Sequence, residues 1–249
     1  MRWKAKLAII VSLFLVSYLG FLLLNSKEAP NNKLFYSYGS EIPQSYPILG
    51  IDVSHYQGDV NWEQVSDMNV KNDSIQFVYI KATEGISVKD DKAEYNVQQA
   101  RENGVDAGFY HYFIPTESAT KQADFFIDQA YKFNYNLKPV IDIEVDEGFS
   151  SKRLLDSITI YMNRIEERID ERPLIYTYSN FYKSHFESSA LASEELFWIA
   201  QYNVDCPLMN LDNVLAWQFS ESGTVSGINE NVDLNIAKEG FLEKVRLKK

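Results

Sequence analysis

Asp142 and Glu144 stand inside the apolar run PVIDIEV, residues 139–145. In a strand, residues i and i+2 share a face. The two carboxyls then point one way, and Ile141, Ile143 and Val145 point the other. Neighbouring carboxylates disfavour each other's ionisation, so one pKa rises. A carboxyl still protonated near neutrality is what a general acid requires. The competing reading is a strand end whose acids simply reach solvent, because D-x-E is short and common. Asp52 ends a first apolar run, ILGIDVS (48–54), and Asp233 lies in a last one, NVDLNIA (231–237). In a closed barrel the first and last strands are neighbours and strand C-termini face one mouth, so all four acids converge there. Convergent carboxylates suit glycoside hydrolysis, with a divalent-metal site as the competing use. The three histidines (His55, His111, His185) are far apart, and the single cysteine, Cys206, has no partner. No metal-ligand or redox spacing results, and no cofactor is implied.

Aromatic residues cluster at the ends of the same apolar runs: Tyr56, Tyr110, Tyr112, Tyr176, Tyr178, Trp198, Tyr202 and Trp217. Sugar rings pack their C–H faces on aromatic planes and accept hydrogen bonds from Tyr hydroxyls. Core packing is the ordinary use of any one of these rings. Tyr56, Tyr110, Tyr176, Trp198 and Trp217 are the candidate substrate contacts. Lys81, in YIKATEG, is a charge ending an apolar strand. It is expected to pair with Asp52 or Glu84 and hold the acids in place, or else to snorkel.

The elements that must position these groups alternate. Strands are expected at 48–54, 74–82, 105–114, 138–145 and 172–179. Helices are expected at 91–103 (ending at Gly104), at 117–132 (capped by Thr116), from Ser150 or Ser151 to about Arg168, and briefly near 180–190. Three further strands, 196–202, 213–220 and 231–237, follow with little helix between them. Alternating strand and helix implies a parallel sheet. The fold class expected is α/β, an irregular TIM-like barrel of five β/α units and then three strands. An open doubly wound sheet is the alternative, but no Gly-rich phosphate turn follows the first strand.

The chain has 249 residues, 24 Lys and Arg against 35 Asp and Glu, and a net charge of −11. That length suits one barrel domain, and the acidic balance argues against nucleic acid. Residues 7–24 carry no charge and follow Arg2, Lys4 and Lys6. Eighteen apolar or small residues approach the length of a bilayer span. No small-x-small site follows, so an uncleaved signal-anchor over 1–24 is favoured, with cleavage and secretion as the alternative. The basic N-terminus stays inside, which leaves the domain extracytoplasmic and membrane-anchored. Without residues 1–24 the balance is 21 basic against 35 acidic, or −14. Residues 25–46 read as a linker, 47–242 as the barrel and 243–249 as a basic C-terminal tail.

The segments GIDVSHYQG (50–58), FVYIKATEG (77–85), GFYHY (108–112), PVIDIEV (139–145), LIYTYSNF (174–181), FWIAQY (197–202), AWQFS (216–220) and VDLN (232–235) resemble the glycoside hydrolase family 25 lysozymes in order and spacing. The resemblance covers roughly residues 48–240. It implies an N-acetylmuramidase cutting the β-1,4 bond between N-acetylmuramic acid and N-acetylglucosamine in peptidoglycan; a monomer is expected. By the same resemblance Glu144 is the proton donor, Asp142 the assisting acid, and Asp52 and Asp233 flanking acids. Tyr110, Tyr176 and Trp217 match aromatic positions of the sugar groove. Ser74 and Val88 depart from the family's pattern (Gly or Arg, and an aromatic or Leu), away from the acids. A retaining route through the sugar's own N-acetyl oxygen suits an i, i+2 pair better than carboxyls facing across the sugar. A non-catalytic wall-binding module and another glycosidase, such as a chitinase, are the rival readings.

Overall fold

The computed structural model describes residues 46–68, 74–202 and 207–248. The expected anchor (1–24) and nearly all of the linker (25–46) lie outside the described residues, as does Cys206. Among the described residues no helix is long and apolar enough to cross a membrane.

The described residues form nine strands: β1 Ile48–Val53, β2 Ile75–Glu84, β3 Val88–Lys89, β4 Asp106–Tyr112, β5 Val140–Asp142, β6 Leu174–Tyr178, β7 Phe197–Ala200, β8 Val214–Gly223 and β9 Val232–Ala237. All but β3 close into an eight-stranded barrel in the order β1-β2-β4-β5-β6-β7-β8-β9, with β9 returning to β1. The two-residue β3 folds back on the end of β2. Helices α1 Trp62–Ser66, α2 Ala93–Glu102, α3 Ala119–Ala130 and α4 Ser151–Ile169 follow β1, β3, β4 and β5, and β6 is followed by short helical segments at Ser179–Phe181, Tyr182–Phe186 and Leu191–Glu194, as the brief helix expected near 180–190 requires. The irregular α/β barrel expected from the alternation is the fold observed.

The sheet is not wholly parallel. The β1–β2 pair is parallel, as are the pairs running from β2 through to β8, but β9 is antiparallel to both β8 and β1. Only residues 224–231 join β8 to β9. A parallel return needs a crossover of a dozen or more residues, so this short link can only reverse the chain. Asp233 therefore sits at the start of its strand, yet at the same mouth as the ends of the parallel strands.

Alternation sorts the side chains into two cores. In β2, Val78 and Ile80 face the helices, whereas Phe77 and Tyr79 fill the barrel. The lumen is crowded enough to demand glycine twice. A Cβ on Gly50 would lie 2.3 Å from the Phe77 ring, and one on Gly108 would lie 2.5 Å from Tyr79. A helix over Phe241–Val245 closes the floor, with Phe241 4.9 Å from Phe77 and both Phe241 and Val245 buried. Arg246 then pairs with Asp106 at the base of β4. The boundary drawn at 242/243 thus falls inside this helix. The expected tail instead seals the barrel.

One local expectation changes and two hold. The cap of α3 is Ser118, whose hydroxyl accepts from the Lys121 amide, while Thr116 bonds the Glu147 carboxylate instead. Ser150 caps α4, and Gly104, at φ +80°, ends α2 as its lack of a Cβ allows.

Candidate active site

The inward-facing groups at the mouth form an acidic recess of about 150 Å³. Its lining includes Asp52, Tyr110, Asp142, Glu144, Tyr176, Tyr178, Trp198, Tyr202, Gln218, Glu221 and Asp233. The volume is below the ~300–1,000 Å³ of a site that swallows a whole small molecule.

Register builds the far wall. Asp52 lies directly opposite Asp233 in the β1–β9 ladder. The Asp52 carboxylate also accepts from Gln218 Nε2 at 2.9 Å and from Asn235 Nδ2 at 2.7 Å. Each amide is oriented by aromatic donors. Tyr176 and Tyr202 hydroxyls donate to Gln218 Oε1 at 2.8 and 2.5 Å, and Trp198 Nε1 donates to Asn235 Oδ1 at 2.9 Å. Burial and the Asp52 charge push Asp233 up to about 9, so near neutrality Asp233 keeps its proton and donates it to Asp52. Three donors thus converge on one buried carboxylate, the arrangement that makes a buried charge tolerable.

The near wall is less satisfied. Asp142 ends β5 and is buried, and its Oδ1 has no hydrogen-bond partner. Burial, then the charges of Glu144 and Asp52, hold Asp142 well above the usual carboxylate range. Glu144 lies two residues on, just beyond the strand, half-buried and lining the same recess. Its pKa is raised by burial and by Asp52, against pulls downward from Lys81 and from the Tyr178 hydroxyl that donates to it. Ile141 and Ile143 face the helices with no exposure, as the i, i+2 pattern requires.

All four predicted acids, with Tyr110, Tyr176 and Trp198, meet at this recess. Lys81 does not line it. Its ammonium pairs with Glu84 at 2.6 Å, and its charge still reaches Asp142 and Glu144. Two expected contacts are displaced. Trp217 points out of the barrel, where it is buried beside Phe219 and donates to the Gln201 carbonyl at 2.7 Å. Its neighbour Gln218 takes the inward position, because adjacent residues in a strand face opposite ways. Tyr56 lies on the turn after β1, 73% exposed and outside the recess lining. Sequence reasoning passed over Gln218, Asn235 and Glu221. The first two are neutral amides at inward positions of β8 and β9, which nothing in the sequence sets apart from ordinary strand residues.

A closed barrel whose mouth gathers carboxylates and tyrosines defines a polysaccharide hydrolase of the TIM-like class. The sequence model described as glycosyl hydrolases family 25 matches residues 51–228, and the chain belongs to that family. It is a glycoside hydrolase. Lysozyme M1 of Streptomyces globisporus is 33% identical over 201 residues, 76% of this chain and 67% of that protein. YegX of Escherichia coli O6:H1, itself uncharacterized, is 34% identical over 216 residues, 84% of this chain and 79% of that protein. The crystal structure of a bacterial lysozyme from Streptomyces coelicolor superposes with a TM-score of 0.68 at 32% identity, covering 76% of this chain and 90% of that one.

Proposed function

We propose that the recess cleaves the β-1,4 bond between N-acetylmuramic acid and N-acetylglucosamine of peptidoglycan by a substrate-assisted, retaining route. The carrying observation is the buried, unpartnered Asp142 Oδ1 beside a Glu144 whose pKa is raised. A buried acceptor without a donor is costly, and the acetamido N–H of the muramic acid ring is a donor of the right kind. In this reading Glu144 gives its proton to the leaving N-acetylglucosamine oxygen. The acetamido oxygen attacks C1 from the opposite face, forming a cyclic oxazolinium. Asp142 accepts the acetamido N–H and stabilises the positive charge that develops there. An opposite charge favours the ionised carboxylate, so this step reverses what burial does to Asp142 in the empty recess. Water, deprotonated by Glu144, then opens the ring with net retention. Asp52, Asp233, Gln218 and Asn235 hold the far wall rigid, the buried Tyr176 and Trp198 brace its amides, and the half-buried Tyr110 offers its surface to the sugar.

Retention is tested by NMR of the anomer formed in the first turnover on a soluble peptidoglycan oligosaccharide. The β anomer is expected. The α anomer as first product overturns the substrate-assisted route.

The same reading extends to location. The uncharged run at 7–24, preceded by basic residues, supports an uncleaved anchor and an extracytoplasmic domain that works within reach of the linker.

A further inference from the structure

We propose that a second, larger recess beside the active site seats the peptide stem carried by N-acetylmuramic acid. This rests on the muramidase reading above and names a further part of the substrate. The second recess encloses about 780 Å³ and shares two wall residues, Tyr178 and Tyr202, with the catalytic one. The two rings pack edge to face with centroids 6.3 Å apart, so a group branching from a sugar in the first recess reaches the second by passing over them. In N-acetylmuramic acid the peptide is attached through a lactyl group on C3. That carbon adjoins C2, which bears the acetamido group facing Asp142 in the proposed mechanism.

The second lining is far less acidic than the first. Beyond the shared tyrosines it holds two further rings, Phe181 and His185, packed together with centroids 4.4 Å apart. The rest joins Ala200 to polar side chains, among them Asn180, Ser184, Gln201 and Lys183. His185 Nδ1 lies 2.9 Å from Ser151 Oγ and its Nε2 lies 3.4 Å from Asp146 Oδ2, which pins this wall and engages its one acid. Lys183 is exposed and, among the described residues, pairs with no carboxylate. The catalytic recess, by contrast, holds Asp52, Asp142, Glu144, Glu221 and Asp233. A stem with free carboxylates is repelled by that acidic set and attracted to Lys183. The Asn180 and Gln201 amides suit the peptide groups of a stem, and the Phe181 and His185 rings offer an apolar surface to its side chains.

The test is calorimetric titration of the Glu144→Gln protein, which cannot turn the ligands over. The two probes are N-acetylglucosaminyl-N-acetylmuramic acid bearing its tetrapeptide and the same disaccharide with a bare lactyl group. The tetrapeptide form is expected to bind at least about tenfold tighter, the scale of one hydrogen bond to a charged group. Adding Lys183→Glu should bring the ratio between probes towards one, while Lys121→Glu, the same charge change on the surface of α3, should not. Equal affinity of the two probes, or equal effects of the two lysine variants, overturns the peptide site while leaving the muramidase reading intact. Failure of both probes to bind overturns the muramidase reading, and the peptide site with it.

Discussion

At the scale of single residues, the site divides its carboxyls by what surrounds them. Asp52 is saturated with donors, Asp233 supplies one of them, and Asp142 lacks a partner. Glu144 lies between these extremes, lifted by burial and by Asp52 and drawn down by Tyr178 and Lys81. A general acid works protonated, so activity fades as pH rises through its pKa, and lifting that pKa carries the basic limb upward. The Tyr178 hydroxyl favours the ionised form. Tyr178→Phe should therefore move the basic limb of the kcat/KM profile to higher pH, with a loss at the optimum of no more than about tenfold. A limb that stays or moves to lower pH would show that Glu144 is not the titrating acid. The acids were legible in the sequence because each ends or begins an apolar run, where a charge has to be explained. Gln218 and Asn235 were not, since neutral amides at inward positions look like ordinary strand residues until the Asp52 carboxylate is seen between them.

At the scale of elements, strand alternation carried most of the fold, because apolar runs of this length bounded by helices allow few arrangements. Direction was harder to read than existence. Nothing within NVDLNIA marks β9 as antiparallel, and only the short link before it, residues 224–231, betrays the reversal. The same limit misplaced Trp217, because two adjacent residues compete for one inward position and hydrophobicity does not decide which wins. The floor was missed because EKVRLKK reads as a charged tail, although Val245 within it is fully buried. Packing inside the barrel makes a sharp demand at Gly50, where a Cβ would meet the rigid Phe77 ring. Gly50→Ala should cost about 1–3 kcal/mol, the usual scale of overpacking, seen as a lower midpoint in chemical denaturation at unchanged slope. An unaltered midpoint would mean that the lumen has room the structure does not show.

At the scale of the whole molecule, an acidic barrel of net charge −14 beyond residue 24 follows an uncharged run of eighteen residues. If that run anchors the protein, full-length material should sediment with membranes and keep its N-terminal peptide by mass spectrometry. A free form starting near residue 25 in the medium would instead mean cleavage and secretion. The central claim, however, concerns the bond that is cut, and family membership with the geometry of Glu144 and Asp142 makes it testable in one digestion. Purified sacculi are incubated with the wild-type protein and with Glu144→Gln, and the reducing ends of the released fragments are identified by mass spectrometry after borohydride reduction. The account predicts reducing N-acetylmuramic acid from the wild type and a rate lower by about 10²–10⁴-fold in the variant, with its melting transition retained. Reducing N-acetylglucosamine, or a Glu144→Gln protein as active as the wild type, would contradict it.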